Sequence, residues 1–141
     1  MKWLNQAEVE NYLMKNGLAQ RSLVVDVLSG FDLSQPIYEQ LLEEGDEIFQ
    51  FIRRSSAGDM SPRVGSWFAL PGATTQSVAI IDGGAGRRLH RFRVVRAFLA
   101  LEGAARNFPL NWKLGIGGKG GGTQLYVPPR YLGHLDAVAP A

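Results

Sequence analysis

The first thirty residues carry apolar positions at helical spacing. In "NQAEVENYLMKNGLA", Val9, Leu13 and Met14 share one side of a predicted helix, which starts at an Asn/Gln pair and ends near Gly17. The next segment, "RSLVVDVLSGFD", fits either a helix or a strand. Its helical surroundings favour a helix.

A third helix is predicted over "SQPIYEQLLEEGDE". Ser34 is suited to be its N-cap, Pro36 falls near its first turn, and Gly45 ends it. Three apolar residues then form one stripe along the helix: Ile37, Leu41 and Leu42.

After this segment the period changes to two, which is typical of strands. "EIFQFIRRSS" is predicted to alternate, with Phe49, Phe51, Arg53 and Ser55 on one face and Ile48, Gln50, Ile52 and Arg54 on the other. "SAGDMSPRVG" is rich in residues that favour turns and is predicted to form one. Further strands are predicted over "SWFAL", "SVAII" and the start of "LHRFRVVRAFLAL", and a short helical turn over "LEGAARNFP". "TQLYVPP" is the last predicted strand, stopped by its two prolines.

Helices followed by four or five strands indicate an α+β fold. We expect N-terminal helices packed on a Gly-rich, mainly antiparallel sheet. The 141 residues suit one domain, with a helical part at 1–46, a β-rich core at 47–130 and a tail at 131–141. The end of that tail, "DAVAPA", is predicted to be frayed.

Composition excludes several classes of protein and site. The absence of cysteine rules out disulfides, thiolate metal sites and a cysteine nucleophile, and only two histidines are present, so we expect no bound metal. No apolar run approaches the roughly 20 residues of a membrane span, and the N-terminus is polar too early for a signal peptide. Residues 38–47 are acidic, whereas "RRLHRFRVVR" at 87–96 carries five arginines and is suited to face an anion.

The glycine-rich stretch at 115–122 matches two nucleotide-binding patterns only superficially. "GIGGKG" has the GxGxxG spacing, but a strand follows it where a dinucleotide fingerprint requires a helix. The Walker A pattern fails because Gly120 follows Lys119. A mobile connecting loop remains the simplest interpretation. "GGGTQ" leads directly into a strand. Because its glycines have no side chains, another backbone or a ligand could come close to Gln124, which would then lie at the mouth of a cleft.

Two earlier segments offer polar groups beside apolar ones. Arg53 or Arg54 would need an anionic partner or ligand if its side chain pointed inward; otherwise both reach solvent at the strand end and pair with Glu43 or Glu47. In "GSWFALP", Ser66 supplies a hydroxyl, while the two aromatic residues that follow it suit either the core or stacking on a flat heterocycle.

The order "FIRRSS", "GSWFALP", "GGGTQLYVP" resembles the toxin domains of the ADP-ribosyltransferase-like superfamily over residues 48–128. It is most similar to the NAD-glycohydrolase branch that includes the tuberculosis necrotizing toxin and the type VI secretion NADase effectors. The resemblance implies a split β core of ADP-ribosyltransferase-like type that clasps NAD⁺ in an extended cleft. The resemblance thus implies NAD⁺ as the substrate, with NADP⁺ as an alternative, and no resident cofactor.

The resemblance also implies roles for individual residues. Arg53, with Arg54 as the alternative register, would bind the NAD⁺ phosphates, and Gln124 would contact the ribose beside the scissile bond. Transferases of the superfamily usually have glutamate at that late position, so glutamine favours water as the acceptor. The residues expected to contact the rest of NAD⁺ are Ser66, Trp67, Phe68 and Thr123. His90 is a candidate general base, although a surface or packing role is the simpler interpretation.

The resemblance therefore implies an antibacterial toxin domain that hydrolyses the nicotinamide–ribose bond of NAD⁺. The expected partners are a cognate immunity protein and a secretion adaptor or chaperone, and the expected place of action is the cytoplasm of a target cell after secretion. One alternative is an ADP-ribosyltransferase that modifies a macromolecule. The other is a basic nucleic-acid-binding module, which would leave the "GGGTQ" strand without a role.

Overall fold

The structure, a computed structural model, describes residues 2–53, 67–70, 87–104 and 123–138. These residues form two α-helices, α1 (Gln6–Lys15) and α2 (Arg21–Gly30), and a 3₁₀ helix (Pro129–His134). They also form eight strands: β1 (Lys2–Leu4), β2 (Ile37–Leu42), β3 (Glu47–Arg53), β4 (Trp67–Ala69), β5 (Arg87–Val94), β6 (Phe98–Ala104), β7 (Thr123–Tyr126) and β8 (Leu135–Val138).

Helix α1 confirms the first predicted helix and starts with a capping box. The Asn5 side chain accepts a hydrogen bond of 2.8 Å from the Glu8 N–H, and the Glu8 carboxylate accepts one of 3.1 Å from the Asn5 N–H. Past the C-terminal end, Gly17 has φ of 105°, a conformation that glycine adopts without strain. Helix α2 confirms the preferred interpretation of "RSLVVDVLSGFD".

The third predicted helix is wrong, because Ile37–Leu42 forms strand β2. All six residues pair with β6, from Ile37 opposite Gly103 to Leu42 opposite Phe98, and β1 pairs along the other edge. The two ends of the apolar stripe are buried in different clusters, and Leu41 between them is 49% exposed. Pairing on both edges therefore overrides a helical pattern.

Three further element predictions need correction. The part predicted to be helical, 1–46, contains β1 and β2, and the predicted tail contains most of the 3₁₀ helix and all of β8. The sequence predicts a helical turn over "LEGAARNFP", but its first four residues, 101–104, form the end of strand β6. β3, β4, the start of β5 and β7 agree with the predicted strands. The "SAGDMSPRVG" turn, the "SVAII" strand and the glycine-rich stretch 115–122 lie outside the described residues.

The described strands form one sheet in the order β1-β2-β6-β7-β4-β3-β5-β8, and every pairing is antiparallel. β2 and β3 are joined by the short turn 43–46, although three strands separate them in the sheet. In a flat sheet those strands would be about 19 Å apart. The turn is compact, with a 3.0 Å hydrogen bond from the Asp46 N–H to the Glu43 carbonyl. The sheet must therefore be strongly curved.

Two buried clusters lie on the two faces of this sheet. On the face that we call the helix face, Leu101 and Tyr126 pack with residues of α1 and α2, including Leu13 and Val27. The other face, which we call the inner face, is the concave side: Leu42 and Phe98 from one half of the sheet share a cluster with Phe92 from the other half. Helices thus cover one side, and the curved sheet closes over its own other side.

Candidate functional site

The three strands that carry the sequence motifs are consecutive neighbours in the sheet, in the order β7-β4-β3. Gln124 of β7 pairs with Ala69 of β4, and Ala69 pairs with Phe49 of β3. Trp67 of β4 pairs with Tyr126. Segments that are far apart in the chain are therefore brought side by side, as a site built from them requires.

Gln124 lies on the helix face and is buried, with 5% of its surface exposed. Its Nε2 donates a hydrogen bond of 2.6 Å to the main-chain carbonyl of Gly30, the last residue of α2. Because a carbonyl only accepts, the amide nitrogen must face Gly30. The amide therefore ties the end of α2 to β7, and its carbonyl oxygen is the acceptor that it can offer to another group.

Trp67 lies on the same face and packs edge-on against two aromatic rings. Its ring centroid is 5.0 Å from that of Phe31 and 5.1 Å from that of Tyr126. A Cβ atom at Gly30 would lie 2.6 Å from the indole Cζ2, so only glycine fits there without movement. The indole and the Gln124 amide thus meet at Gly30, which the sequence motifs did not single out.

Phe68 and His90 lie on the inner face. The Phe68 ring is buried and makes an edge contact with Phe92 at 5.5 Å between centroids. His90 is half-buried and pairs with Gln50 of β3. It lies two residues before Phe92 on β5, so both side chains face the inner side of the sheet. The structure therefore separates the predicted residues into two groups, with Gln124 and Trp67 on the helix face and Phe68 and His90 on the inner face.

The remaining predicted residues lie at strand ends or outside the described chain. Arg53 is the last residue of β3 and is in register with Arg87. Its backbone lies four residues beyond Phe49, or about 13 Å along the strand. Thr123 is exposed at the start of β7, opposite Ala104. Arg54 and Ser66 lie outside the described residues.

Part of the basic segment is paired with an acidic residue. Arg91 Nε and Arg93 Nη2 lie 3.4 and 3.9 Å from the same Glu47 carboxylate oxygen. All three side chains are partly exposed, so each pair stabilises the fold by no more than about 1 kcal/mol. Glu47, one of the two predicted partners of Arg53 or Arg54, faces β5 in the structure instead.

Glu102, the one acidic residue of β6, is not among the predicted site residues; its neighbours in "FLALEGA" are apolar or small. It is in register with Tyr38 on one side and Leu125 on the other, which places it on the inner face. Partial burial raises the pKa of its carboxyl group above the usual value. The charged residue within an alternating apolar strand was the available signal.

A separate groove of about 380 Å³ lies between α1 and the β-sheet. Its walls include Glu8, Tyr12, Glu39 and Tyr131, but none of the predicted site residues within the described chain. Tyr12 donates a hydrogen bond to the Leu99 carbonyl, and burial raises the pKa of the Tyr12 hydroxyl. The groove is therefore distinct from the surroundings of Gln124.

Within the described residues, no three histidine, cysteine or acidic side chains come together as a metal site would need. Neither α1 nor α2 reaches the length or apolar character of a membrane-spanning helix.

Comparison with known proteins identifies a shared fold. No protein-family profile matches the sequence, and no curated protein matches it. Among solved structures, Tse6 in complex with Tsi6 superposes with a TM-score of 0.69 at 15% identity, over 97% of this chain and 98% of that one. Rhs1-CT, in complex with its cognate immunity protein RhsI1, superposes with a TM-score of 0.50 at 19% identity, over 74% of this chain and 78% of that one. The chain therefore shares a mixed α/β fold with the Tse6 chain of that complex, and its described strands form one antiparallel eight-stranded sheet.

Proposed function

We propose that this protein is a toxin domain that hydrolyses NAD⁺ at the bond between nicotinamide and ribose. The observation that carries the proposal is the adjacency of β7, β4 and β3. These are the strands on which the sequence resemblance locates the ribose, nicotinamide and phosphate contacts. The fold shared with Tse6, and with an Rhs1-CT domain solved together with a cognate immunity protein, supports the toxin role.

Of the predicted site residues, we assign those on the helix face to NAD⁺ binding. Gln124 and Trp67 both contact Gly30. Phe49 pairs with Ala69, and Ala69 pairs with Gln124. The period-two pattern of β3 assigns Arg53 to the same face as Phe49. A bidentate arginine suits a diphosphate. His90 lies on the inner face, so a catalytic role for it would require a substrate that reaches both faces.

The chemistry needs positioning more than a strong nucleophile. The nicotinamide leaving group already carries positive charge, and the transition state resembles an oxocarbenium ion, as in glycoside hydrolysis. The Gln124 amide, oriented by the Gly30 carbonyl, would direct its own carbonyl oxygen towards a ribose hydroxyl or the attacking water. Glutamine cannot take up the proton, so the water would lose it to solvent or to another group.

The biological role we propose is that of a secreted effector that depletes NAD⁺ in the cytoplasm of a competing cell. A cognate immunity protein would protect the producing cell; the Rhs1-CT structure contains a protein named as its cognate immunity protein. A secretion adaptor or chaperone would accompany delivery. NADP⁺ is a second substrate to be compared in the same assay.

The test is nicotinamide release from NAD⁺ by the purified protein. We expect release by the native protein, and a fall of about 100-fold for Arg53→Ala and for Gln124→Met, since both remove positioning contacts. Methionine keeps the length of the side chain, so it limits the loss of packing. The matched control is Gln40→Met, which changes a glutamine on β2 that does not pair with β7.

Folding of each variant is checked by its thermal transition, so that lost activity is not confused with lost structure. The proposal is wrong if native protein releases nicotinamide no faster than Gln124→Met or Arg53→Ala. Labelled NAD⁺ in cell extract separates hydrolysis from transfer, because an ADP-ribosyltransferase would leave the label on a macromolecule.

A further inference from the structure

A row of three side chains on the inner face lies apart from the surroundings of Gln124. Trp3 of β1 is in register with Tyr38 of β2, and Tyr38 is in register with Glu102 of β6. Residues paired in this way have Cβ atoms about 5 Å apart. The row continues to Leu125, which is fully buried, so it runs from the edge of the sheet into the core.

The outer end of the row is an aromatic pair that consists of an exposed tryptophan and a half-buried tyrosine. Trp3 keeps 66% of its surface exposed, and its ring meets the Tyr38 ring edge-on, with centroids 5.5 Å apart. Among the strands that the structure describes, β1 is at the edge of the sheet, so a partner can approach the indole from the open side. Exposed tryptophan and tyrosine side chains carry much of the binding energy in protein interfaces.

The inner end of the row is a carboxylate that has lost part of its hydration. Within the part of the chain that the structure describes, Glu102 makes no ion pair and no side-chain hydrogen bond. Its neighbours across the two adjacent strands, Tyr38 and Leu125, carry no positive charge. A half-buried carboxylate without a cation is costly in the free protein and becomes favourable once a cation is supplied.

We propose that Trp3, Tyr38 and Glu102 form the anchor site for an arginine side chain of a partner protein. A guanidinium fits the row because its plane stacks on aromatic rings while its N–H groups bond a carboxylate in bidentate fashion. An ammonium offers neither the planar stack nor the fork. The partner is a protein and not a nucleic acid, because the site presents a carboxylate and would repel phosphates.

The site is separate from the proposed NAD⁺ contacts. Glu102 is on β6 beside β7, but it faces the inner side of the sheet, whereas Gln124 faces the helices. Binding at the row can therefore be measured without any assumption about NAD⁺ hydrolysis. Failure of one proposal leaves the other standing.

The experiment titrates the full chain with two peptides and follows the tryptophan side-chain signals by NMR. The probes are acetyl-Gly-Arg-Gly-amide and the same peptide with citrulline, which is nearly isosteric with arginine but uncharged. We expect the arginine peptide to bind about tenfold more tightly, the difference that one charge-assisted contact supplies. Glu102→Gln should remove that preference, and Trp3→Ala should weaken the binding of both peptides.

Glu39→Gln is the matched control, because Glu39 is on β2 next to Tyr38 but faces the helix side. It should leave the arginine preference unchanged. Equal binding of the two peptides, no saturable shift at Trp3, or equal loss in both glutamate variants would overturn the proposal. So would concentration-dependent dimerisation abolished by Trp3→Ala, which would identify a second copy of the chain as the occupant.

Discussion

The Gln124 side chain donates a 2.6 Å hydrogen bond to the main-chain carbonyl of Gly30, 94 positions earlier in the chain. The bond joins the middle of the sheet to the end of α2. It gives the residue we assign to catalysis a second, structural task, so variants at this position must be judged by two measurements.

Gln124→Ala should lower the free energy of unfolding as well as any activity. It leaves the Gly30 carbonyl without its donor in a partly buried setting, which costs about 1–3 kcal/mol. Urea unfolding measures this loss. Gln40→Ala is the control and should change stability by less than about 0.5 kcal/mol, since its side-chain hydrogen bond is exposed and long, at 3.4 Å. Equal losses in the two variants would show that the bond contributes nothing.

Gly30→Ala should destabilise the protein by about 1–3 kcal/mol, because the new methyl group would overlap the Trp67 indole. Thermal unfolding measures the effect. Trp67→Phe in the same chain should recover part of it, so the double variant should lose less stability than the sum of the single changes. Gly133→Ala, where a Cβ meets no atom within 4 Å, is the control. Strict additivity would contradict the predicted overlap.

Tyr12→Phe should reveal a dependence on alkaline pH. Burial, with further contributions from Tyr131, Glu39 and Tyr126, raises the pKa of Tyr12 above its usual value of 10.0. The folded protein therefore holds this proton more tightly, and the stability that it provides is complete below pH 10 and is lost as the pH rises further. At pH 8 the variant should be about 1 kcal/mol less stable, since it lacks the bond to Leu99.

The difference between the native protein and Tyr12→Phe should narrow above pH 10, when unfolding releases the tyrosine proton. Denaturant midpoints across pH 8–11 measure it, with Tyr38→Phe as the control. A stability difference that stays constant from about pH 8 to pH 11 would mean that Tyr12 loses its proton equally readily in the folded and the unfolded protein, which would contradict the prediction.

Glu102→Gln should raise the melting temperature at pH 7. Burial raises the pKa of this carboxyl group, so its ionised form disfavours folding at neutral pH. As the pH falls through the raised pKa, the folded protein takes up the proton first, and the native chain regains stability. The advantage of the variant should therefore shrink towards pH 4.5, the usual carboxyl value. Melting curves at both pH values test this; a variant less stable than the native protein at pH 7 would contradict it.

Several local features were predictable because they depend on neighbours in the sequence. The capping residue Asn5, the apolar spacing around Val9 and Leu13, and the turn glycine Gly17 together predicted α1. Alternation predicted β3, and the order of three short motifs predicted that distant segments belong to one site. The structure shows that β7, β4 and β3 are neighbours in the sheet, and that they form one site stays a prediction.

Other features depended on contacts between distant residues. The spacing of Ile37, Leu41 and Leu42 suits a helix, but β1 and β6 supply hydrogen bonds along both edges of this segment and make it a strand. β8 exists because β5 offers it an unpaired edge. Local propensity is a weak preference, and pairing on an edge outweighs it.

What the sequence by itself determined is the set of chemical groups, the local turns and caps, and the alternation that makes most strands possible. Only the tertiary structure decided which face each group occupies. Strand register assigned Gln124 to the helix face, beside Gly30, and assigned His90 and Glu102 to the inner face. The physical reason is that a shift of one residue in register exchanges the two faces, and register is set by pairing partners that lie far away in the chain.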